Sequence, residues 1–537
     1  MPPPPQQKYK KEWESEEWAR GWLTSPKPGE FTGKAFCSYC TQYLRPQKKI
    51  LHDHSLLMRH ITKSKSVKSS KSVEKFFTVI DTRVMSAELN TVAMIARSNI
   101  PIRFSEELIQ TNKHCLSDSE TAKKMTSSRT KTTYLLTECL YPAAHKDLVK
   151  RMSESDGFSI LCDKATDVSM KKVFCIRVCF YDHNSQEVVS RLYRLIELSE
   201  GTATGLFQAI SQALEEDNLD WTNVVGYASD GENLMQGVGP NSLLALIKEK
   251  IASIYILKCF CHSFHLVADY ACRLLSQSAE VLVHDCYNYM KNSPNRLASY
   301  GEFQVFCALD PVKILKPCQT RWLSLRECVG RMIQQLPALE LFFEAEVSDL
   351  KTKNSQAERI KHALHEPAIV ATIEFMDSVL GDLTGLNKIF QSETFELHRL
   401  IPELTKVIKL YASNFMPVHP DSNALSINID QQDQWLPLDK VYPGVNAQNT
   451  LSSMKPHQKE TFLKRCRDWY REAIRQICMH VNLLDPVLLA MASLDHQTKL
   501  ENPTKVDRGA IGILVSNLPL IVEKQKTSLQ SLNRLVE

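Results

Sequence analysis

The sequence predicts an α+β chain of several domains: a small metal-stapled module, a mixed sheet with flanking helices, and a large all-α region. Three observations predict it. A Cys-x-x-Cys pair (Cys37, Cys40) with downstream histidines lies in a segment too short for a large core. From Phe158 to about Leu257 the apolar pattern becomes strand-like, in runs rich in Val, Ile, Phe and Cys. Beyond Leu266 the spacing is helical almost to the end.

Bulk composition supports folded domains. With 537 residues and 43% hydrophobic content, the chain can build two to four domains. The net charge of +4 is small, but its distribution is uneven. Between Arg45 and Lys75 the bases Arg45, Lys48, Lys49, Arg59, Lys63, Lys65, Lys68, Lys71 and Lys75 face only Asp53 and Glu74. Such a stripe suits a polyanion or a nuclear-import signal, the alternative being a solvated linker. No apolar run approaches the roughly 20 residues of a membrane span, and the N-terminus is no secretory signal. The sixteen cysteines are therefore expected as reduced thiols, some on metal, in a cytosolic or nuclear protein.

Residues 1–10 are Pro- and Gln-rich and expected to be disordered. Residues 11–62 carry Trp13, Trp18, Trp22, the Cys pair and His52, His54 and His60. Zinc needs four such ligands in a tetrahedron; Cys37, Cys40, His54 and His60 are chosen, with His52 as the alternative third ligand. Lys48, Lys49 and Arg59 are candidate phosphate contacts. Residues 63–80 read as a basic linker and 81–153 as a helical linker domain. In the latter, helices are expected over Ser86–Ser98 and Ser105–Cys115, with Ser86 and Ser105 as N-caps. Another is expected over Thr130–Ser153, interrupted near Pro142.

Residues 154–266 read as strands Phe158–Cys162, Val173–Tyr181, Val188–Leu198, Val224–Ala228 and Ile254–Leu257. The turn Asp182–Ser185 and the helices Ala203–Glu216 and Ser242–Ala252 separate them. Three strands, a helix, a strand, a helix and a strand is the order of an RNase H-like sheet. Asp163 and Asp230 each follow an apolar run, so neighbouring strands would bring both carboxylates to one sheet edge. Two such acids and a third can hold two Mg2+ or Mn2+ ions at a scissile phosphate; alone, each more often caps a turn. Residues 267–500 read as an all-α domain with a polar loop at 421–449, and 501–537 as a partial C-terminal segment.

Four blocks in order, Cys162-Asp-Lys-Ala-Thr-Asp167, Tyr227-Ala-Ser-Asp-Gly-Glu-Asn233, Cys259-Phe-Cys-His-Ser-Phe-His-Leu266 and Thr320-Arg-Trp-Leu-Ser324, resemble the core of hAT-superfamily DNA transposases. The resemblance spans roughly Lys8 to Gln497. It implies a BED or transposase-type zinc finger, an RNase H-like domain and a helical insertion domain. It further implies Asp163 and Asp230 as two members of a catalytic triad. Ala165 departs from the aromatic many relatives carry there. The family's third acid sits in a Ser-x-x-Glu-Arg-x-Phe-Ser block that also begins the C-terminal dimerisation region. That block is not found: Glu501, Asp507 and Glu523 lack its context. Cys259, His262 and His265 match a motif beside the family's active site. By residue type they could bind zinc; the preferred reading is structural. Arg321 and Trp322 match the Arg-Trp pair that opens the insertion domain, where the family's tryptophan stacks near a flipped base; a core tryptophan is the alternative. The expectation is a nuclear, zinc-dependent DNA-binding protein without efficient catalysis, in the role of a transcriptional regulator. Its alternatives are an active transposase and a protein-interaction scaffold acting through the helical domain. Oligomeric state stays open.

Overall fold

The computed structural model describes residues 9–25, 34–64, 82–166, 170–198, 200–317, 323–348, 355–392, 396–493 and 508–519. Arg321, Trp322, Glu501, Asp507, Glu523 and most of the 63–80 linker lie outside them. The chain divides into two compact units, Met1–Lys146 and Asp147–Glu537.

The first unit opens with a three-stranded antiparallel sheet, β1 (Leu23–Thr24), β2 (Ala35–Cys37) and β3 (Gln42–Leu44). The helix Lys48–Leu56 follows, and residues 58–64 are again helical. The core is small: Trp13, Ala19, Trp22, Leu23, Ala35 and Leu51 close around the two cysteines. Further on, the helix Thr82–Arg97 begins four residues before Ser86, so Ser86 is interior rather than a cap. Ser105 likewise follows a 3-10 turn (Ile102–Phe104) and is the first residue of Ser105–Cys115, not its cap. The expected break near Pro142 is a π-helical stretch, Leu135–Leu140, between Arg129–Tyr134 and Tyr141–Glu154. Proline has no N–H to give the preceding turn, and a π-bulge absorbs that loss without ending the helix.

The second unit holds a five-stranded sheet in the order β6-β5-β4-β7-β8. These are β4 (Phe158–Thr166), β5 (Lys172–Asp182), β6 (Glu187–Glu197), β7 (Val224–Ser229) and β8 (Tyr255–Lys258). The pairs β4–β5 and β5–β6 are antiparallel; β4–β7 and β7–β8 are parallel. Alternation along the strands sends Phe158, Ile160, Cys162, Phe174, Ile176, Val178 and Phe180 into one core with Leu206, Ile210 and Ile247. The helices Ala203–Glu216 and Leu243–Lys250 connect the later strands, and Thr202 and Ser242 cap them through their side chains. Parallel neighbours need such crossovers.

The hairpin between β5 and β6 is held by Asp182, which is buried. Its carboxylate accepts from Arg151 Nη2 at 2.5 Å, Ser185 Oγ at 2.9 Å and the Asn184 amide at 3.2 Å. The Arg151 guanidinium chiefly, with those two donors, holds the acid down to about 2 against the opposing effect of burial. A depressed carboxyl contributes stability above its unfolded value of about 3.9 and loses it as pH falls toward 2. Asp182→Asn is therefore expected to flatten the acid limb of the stability curve between about pH 4 and pH 2. Urea midpoints measured across that range check it; an unchanged slope refutes the assignment.

From Phe260 to Ser493 the described residues contain helices and turns but no strand. The helices Phe260–Cys272, Pro367–Phe390 and Pro456–His480 form the centre. Trp469 is fully buried there, edge-on to Phe375 (5.7 Å) and Tyr411 (5.3 Å), with Nε1 donating to Cys272 Sγ at 3.4 Å. The segment 421–449 is irregular and largely exposed, with 3-10 turns at Ala424–Ser426, Gln432–Gln434 and Leu438–Lys440. The guanidiniums of Arg467 and Arg471 each lie 4.4 Å from the Trp435 ring centroid, and Asp430 accepts from Arg471 and Arg475. Its backbone is also pinned, Leu436 N–H to Phe415 O (2.8 Å) and Tyr442 N–H to Asn414 O (3.0 Å). Cation–π contacts and paired arginines hold a chain segment whose own apolar content is low. Of residues 501–537, the described part is the helix Arg508–Asn517 and its immediate continuation. No described helix is long and apolar enough to cross a membrane.

Candidate metal centre and carboxylate edge

Cys37 ends β2, Cys40 follows in the turn, His54 lies on the helix Lys48–Leu56 and His60 on the helical stretch after it. Leu51 and His54, three apart, share the buried face of their helix, which turns His54 inward. His52 is exposed and stacks edge-on against Trp18, so the alternative third ligand is displaced. All four chosen side chains are buried, and their ligand atoms lie within 4.8 Å of one another. His60 Nδ1 is 3.5 Å from Cys37 Sγ, 3.6 Å from Cys40 Sγ and 3.2 Å from His54 Nε2.

These separations test the fit to zinc. With Zn–S about 2.3 Å and Zn–N about 2.0–2.1 Å, a tetrahedron has S···N edges of about 3.6 Å and an N···N edge of about 3.4 Å. The observed edges agree to about 0.2 Å, inside the tolerance of such sites. Four protein ligands leave no open position, the pattern of structural rather than catalytic zinc. Without metal the site is unfavourable for charge: burial pushes the Cys37 thiol up to about 11 and the His54 imidazole down. Trp22 closes the cluster, its ring 4.6 Å from that of His60 and 5.4 Å from that of His54.

Gln42 was not singled out by the sequence. Its side-chain amide lies 3.4 Å from His54 Nδ1, the nitrogen turned away from the cysteines. The atom facing Nδ1 is Gln42 Nε2; with His54 Nε2 on a metal, Nδ1 would carry the proton, and the Gln42 amide would turn end for end to accept it through Oε1. Gln42→Ala is expected to lower zinc affinity about 10-fold or more, measured by chelator competition. An unchanged affinity would remove Gln42 from the support of the site.

The second site is the edge where β4 and β7 run parallel. Cys162 is paired with Ser229, so the next residues on each, Asp163 and Asp230, are brought to the same edge. β4 continues through Asp163 to Thr166 instead of ending at Cys162, because Asp163, Lys164, Ala165 and Thr166 still pair with Cys175, Phe174, Val173 and Lys172. Burial raises the Asp230 carboxyl, the Glu232 amide and the His262 charge oppose that, and Glu232 and Asp163 add to it. Asp163 Oδ1 accepts from the Lys164 amide at 2.8 Å, and Lys164 Nζ meets Glu232 Oε2 at 3.1 Å. Lys164, Glu232 and His262 therefore share this edge with the two aspartates. Lys164 and Glu232 sit in the quoted blocks, yet their pairing joins residues 68 apart.

Among the described residues, only Cys37, Cys40, His54 and His60 gather as three or more potential ligands. Neither the acidic edge nor Cys259, Cys261, His262 and His265 forms such a group. Cys259 opens the helix Phe260–Cys272, its amide donating to Ser229 O at 2.8 Å. Lys48, Lys49 and Arg59 are exposed; Lys48 pairs with Glu16 at 2.5 Å.

Residues 102–238 match a family model described as DUF4371, the ZMYM1/FAM200 RNase-like domain. The matched segment includes both Asp163 and Asp230 and stops short of Cys259, while the zinc cluster lies before it. Residues 102–238 are thus similar to an RNase-like domain of the ZMYM1/FAM200 kind, and a Cys2His2 cluster able to hold zinc precedes them in the sequence.

Proposed function

We propose that this is a nuclear DNA-binding protein derived from an hAT transposase, with a zinc finger that holds DNA and a carboxylate edge that no longer cuts it. The observation that carries the reading is the Cys2His2 cluster with tetrahedral edge lengths, beside exposed cations. Arg45, Lys49 and Arg59 are exposed and have no ion-pair partner among the described residues, as phosphate-contacting groups require. Loss of cutting is supported by chemistry at the edge. Lys164 already pairs with Glu232 at this edge, 3.1 Å apart, which places an ammonium among the acids and disfavours further cations there. Asp163 also spends one carboxylate oxygen on its neighbour's amide.

Binding of the zinc-loaded chain to a random duplex, followed by anisotropy over a salt series, tests the first half. Each phosphate contact contributes about 0.9 to the slope of log K against log salt. Lys49→Ala and Arg59→Ala are each expected to reduce the slope by about 1. Full binding after zinc removal refutes the finger as the DNA reader. For the second half, wild type and Asp163→Ala/Asp230→Ala are expected to give the same background in a Mn2+-dependent strand-cleavage assay.

One observation favours a second reading. The parallel register still sets Asp163 and Asp230 side by side, as a two-metal phosphoryl transferase needs. Metal-dependent cleavage abolished by either alanine would establish that reading and overturn the first.

A further inference from the structure

The finger turns a corner between its two histidine ligands. The helix Lys48–Leu56 ends there, Leu57 is extended (φ −67°, ψ 133°), and residues 58–64 are helical again. Leu57 N–H donates to His54 O at 3.2 Å, and Leu57 O accepts from the Ile61 amide at 3.0 Å, so both sides of the corner are pinned. His54 and His60 turn inward to the metal cluster. The residues between them ride on the outside: Leu56, Leu57 and Met58 are 63%, 55% and 75% exposed. Among the described residues no other three consecutive large apolar side chains are exposed. We propose that Leu56, Leu57 and Met58 form an apolar wedge that enters between stacked base pairs of duplex DNA. The wedge rests on the DNA-binding reading above and adds contact with the bases to contact with phosphates.

Single exposed apolar residues are ordinary, but a contiguous group marks a contact surface. Its neighbours say what it contacts. Residues 45–64 carry Arg45, Lys48, Lys49, Arg59 and Lys63 against one acid, Asp53. Arg59 follows Met58 directly, and Lys63 lies one turn further along the same helical stretch. Lys49 is seven residues before Leu56, on the same face of its helix, with Asp53 between them. Duplex DNA joins the two surfaces this tip complements, anionic phosphates outside and apolar base faces within. Leucine and methionine are among the side chains that DNA-kinking proteins insert at base steps, with basic groups on the flanking backbone.

Unstacking a base step is unfavourable, so a wedge acts only if it is held rigidly while it enters. The corner meets that condition. Its backbone is hydrogen-bonded on both sides, and a metal ligand stands two residues before Leu56 and two after Met58. Zinc would thus fix the direction in which the tip points.

The test uses the full zinc-loaded chain and a duplex rich in TA steps, which unstack most readily, with 2-aminopurine in place of one adenine. The reporter brightens when its stacking is lost. Saturating wild type is expected to raise its fluorescence. Leu57→Ser/Met58→Ser is expected to lose that rise at saturation and to bind about 10-fold more weakly, with an unchanged salt slope. Lys49→Ala should do the reverse, keeping the rise at saturation and lowering the slope by about 1. Leu57→Met/Met58→Leu preserves apolar volume and should keep both the affinity and the rise. All three variants should bind zinc as wild type does. The wedge is overturned if the serine variant binds DNA as tightly as wild type, or if it loses zinc affinity, which would place the tip in the finger's core. It is overturned equally if the serine substitutions turn a sedimenting wild-type dimer into a monomer, which would make the tip a contact between copies of the chain. Salt-dependent wild-type binding without the rise sinks the wedge alone; no salt-dependent binding by wild type sinks the DNA-binding reading with it.

Discussion

Cys37→Ser is expected to leave residues 11–62 without a fold and the protein without DNA affinity. The finger's core is eight buried residues, two of them Cys37 and Cys40 themselves, around a three-stranded sheet whose strands have two or three residues each. A core of that size supplies at most a few kcal/mol, whereas structural zinc in finger peptides contributes about 10–16 kcal/mol at pH 7. Replacing a thiolate by a hydroxyl removes one of the two sulfur ligands and leaves Cys40, His54 and His60 buried around an incomplete shell. Fluorescence of Trp13, Trp18 and Trp22 should move toward that of solvated indole, and a chelator should do the same to wild type. His52→Ala, by contrast, should leave zinc affinity unchanged, because His52 is exposed and its ring lies edge-on to Trp18, outside the four-residue cluster. If the finger stays folded in the serine variant, metal is not what holds it.

The second large effect belongs to the other unit. Trp469→Ala should destabilise the helical core by about 3–5 kcal/mol, the range for truncating a buried aromatic to alanine. Trp469 touches Phe375, Tyr411 and Tyr470 edge-on, at centroid distances of 5.7, 5.3 and 5.6 Å, so its removal opens a cavity among rings that cannot all shift to fill it. Trp469→Phe keeps most of the volume and gives up the bond to Cys272, so a smaller loss is expected. Urea unfolding followed by near-ultraviolet circular dichroism measures both. A loss below about 1 kcal/mol for the alanine variant would mean that this core is not closed around residue 469.

Sequence reading was strongest where one physical rule decides. Phe174, Ile176, Val178 and Phe180 alternate with more exposed neighbours, and period two leaves no other regular structure. The helix Ala203–Glu216 has the bounds that the apolar spacing predicts, with Thr202 found as its cap. The metal ligands were legible because zinc restricts residue type and spacing together. What stayed hidden depends on partners distant in sequence. β4 extends past Asp163 because β5 lies beside it, which Phe158–Thr166 alone does not declare. Lys164 and Glu232 look like surface charges until the parallel register brings them together. The 421–449 segment reads as polar because its anchors, Arg467, Arg471 and Arg475, belong to the helix Pro456–His480. Ser86 and Ser105 have cap chemistry, but Ser86 is interior to its helix and Phe104 takes the cap position before Ser105.

The helix Phe260–Cys272 begins at the carboxylate edge and ends against Trp469. Thirteen residues at about 1.5 Å each make a rod of about 20 Å. Its near end is tied to Ser229 through the Cys259 amide, and a second strut, Tyr255 Oη to Asp485 Oδ1 at 3.1 Å, runs from β8 to the helical region. Two rigid connections at different points resist rotation as well as sliding. The backbone one residue before Asp230 is therefore anchored to the helix that reaches Trp469, so the two aspartates and the buried tryptophan stand at opposite ends of one continuous element.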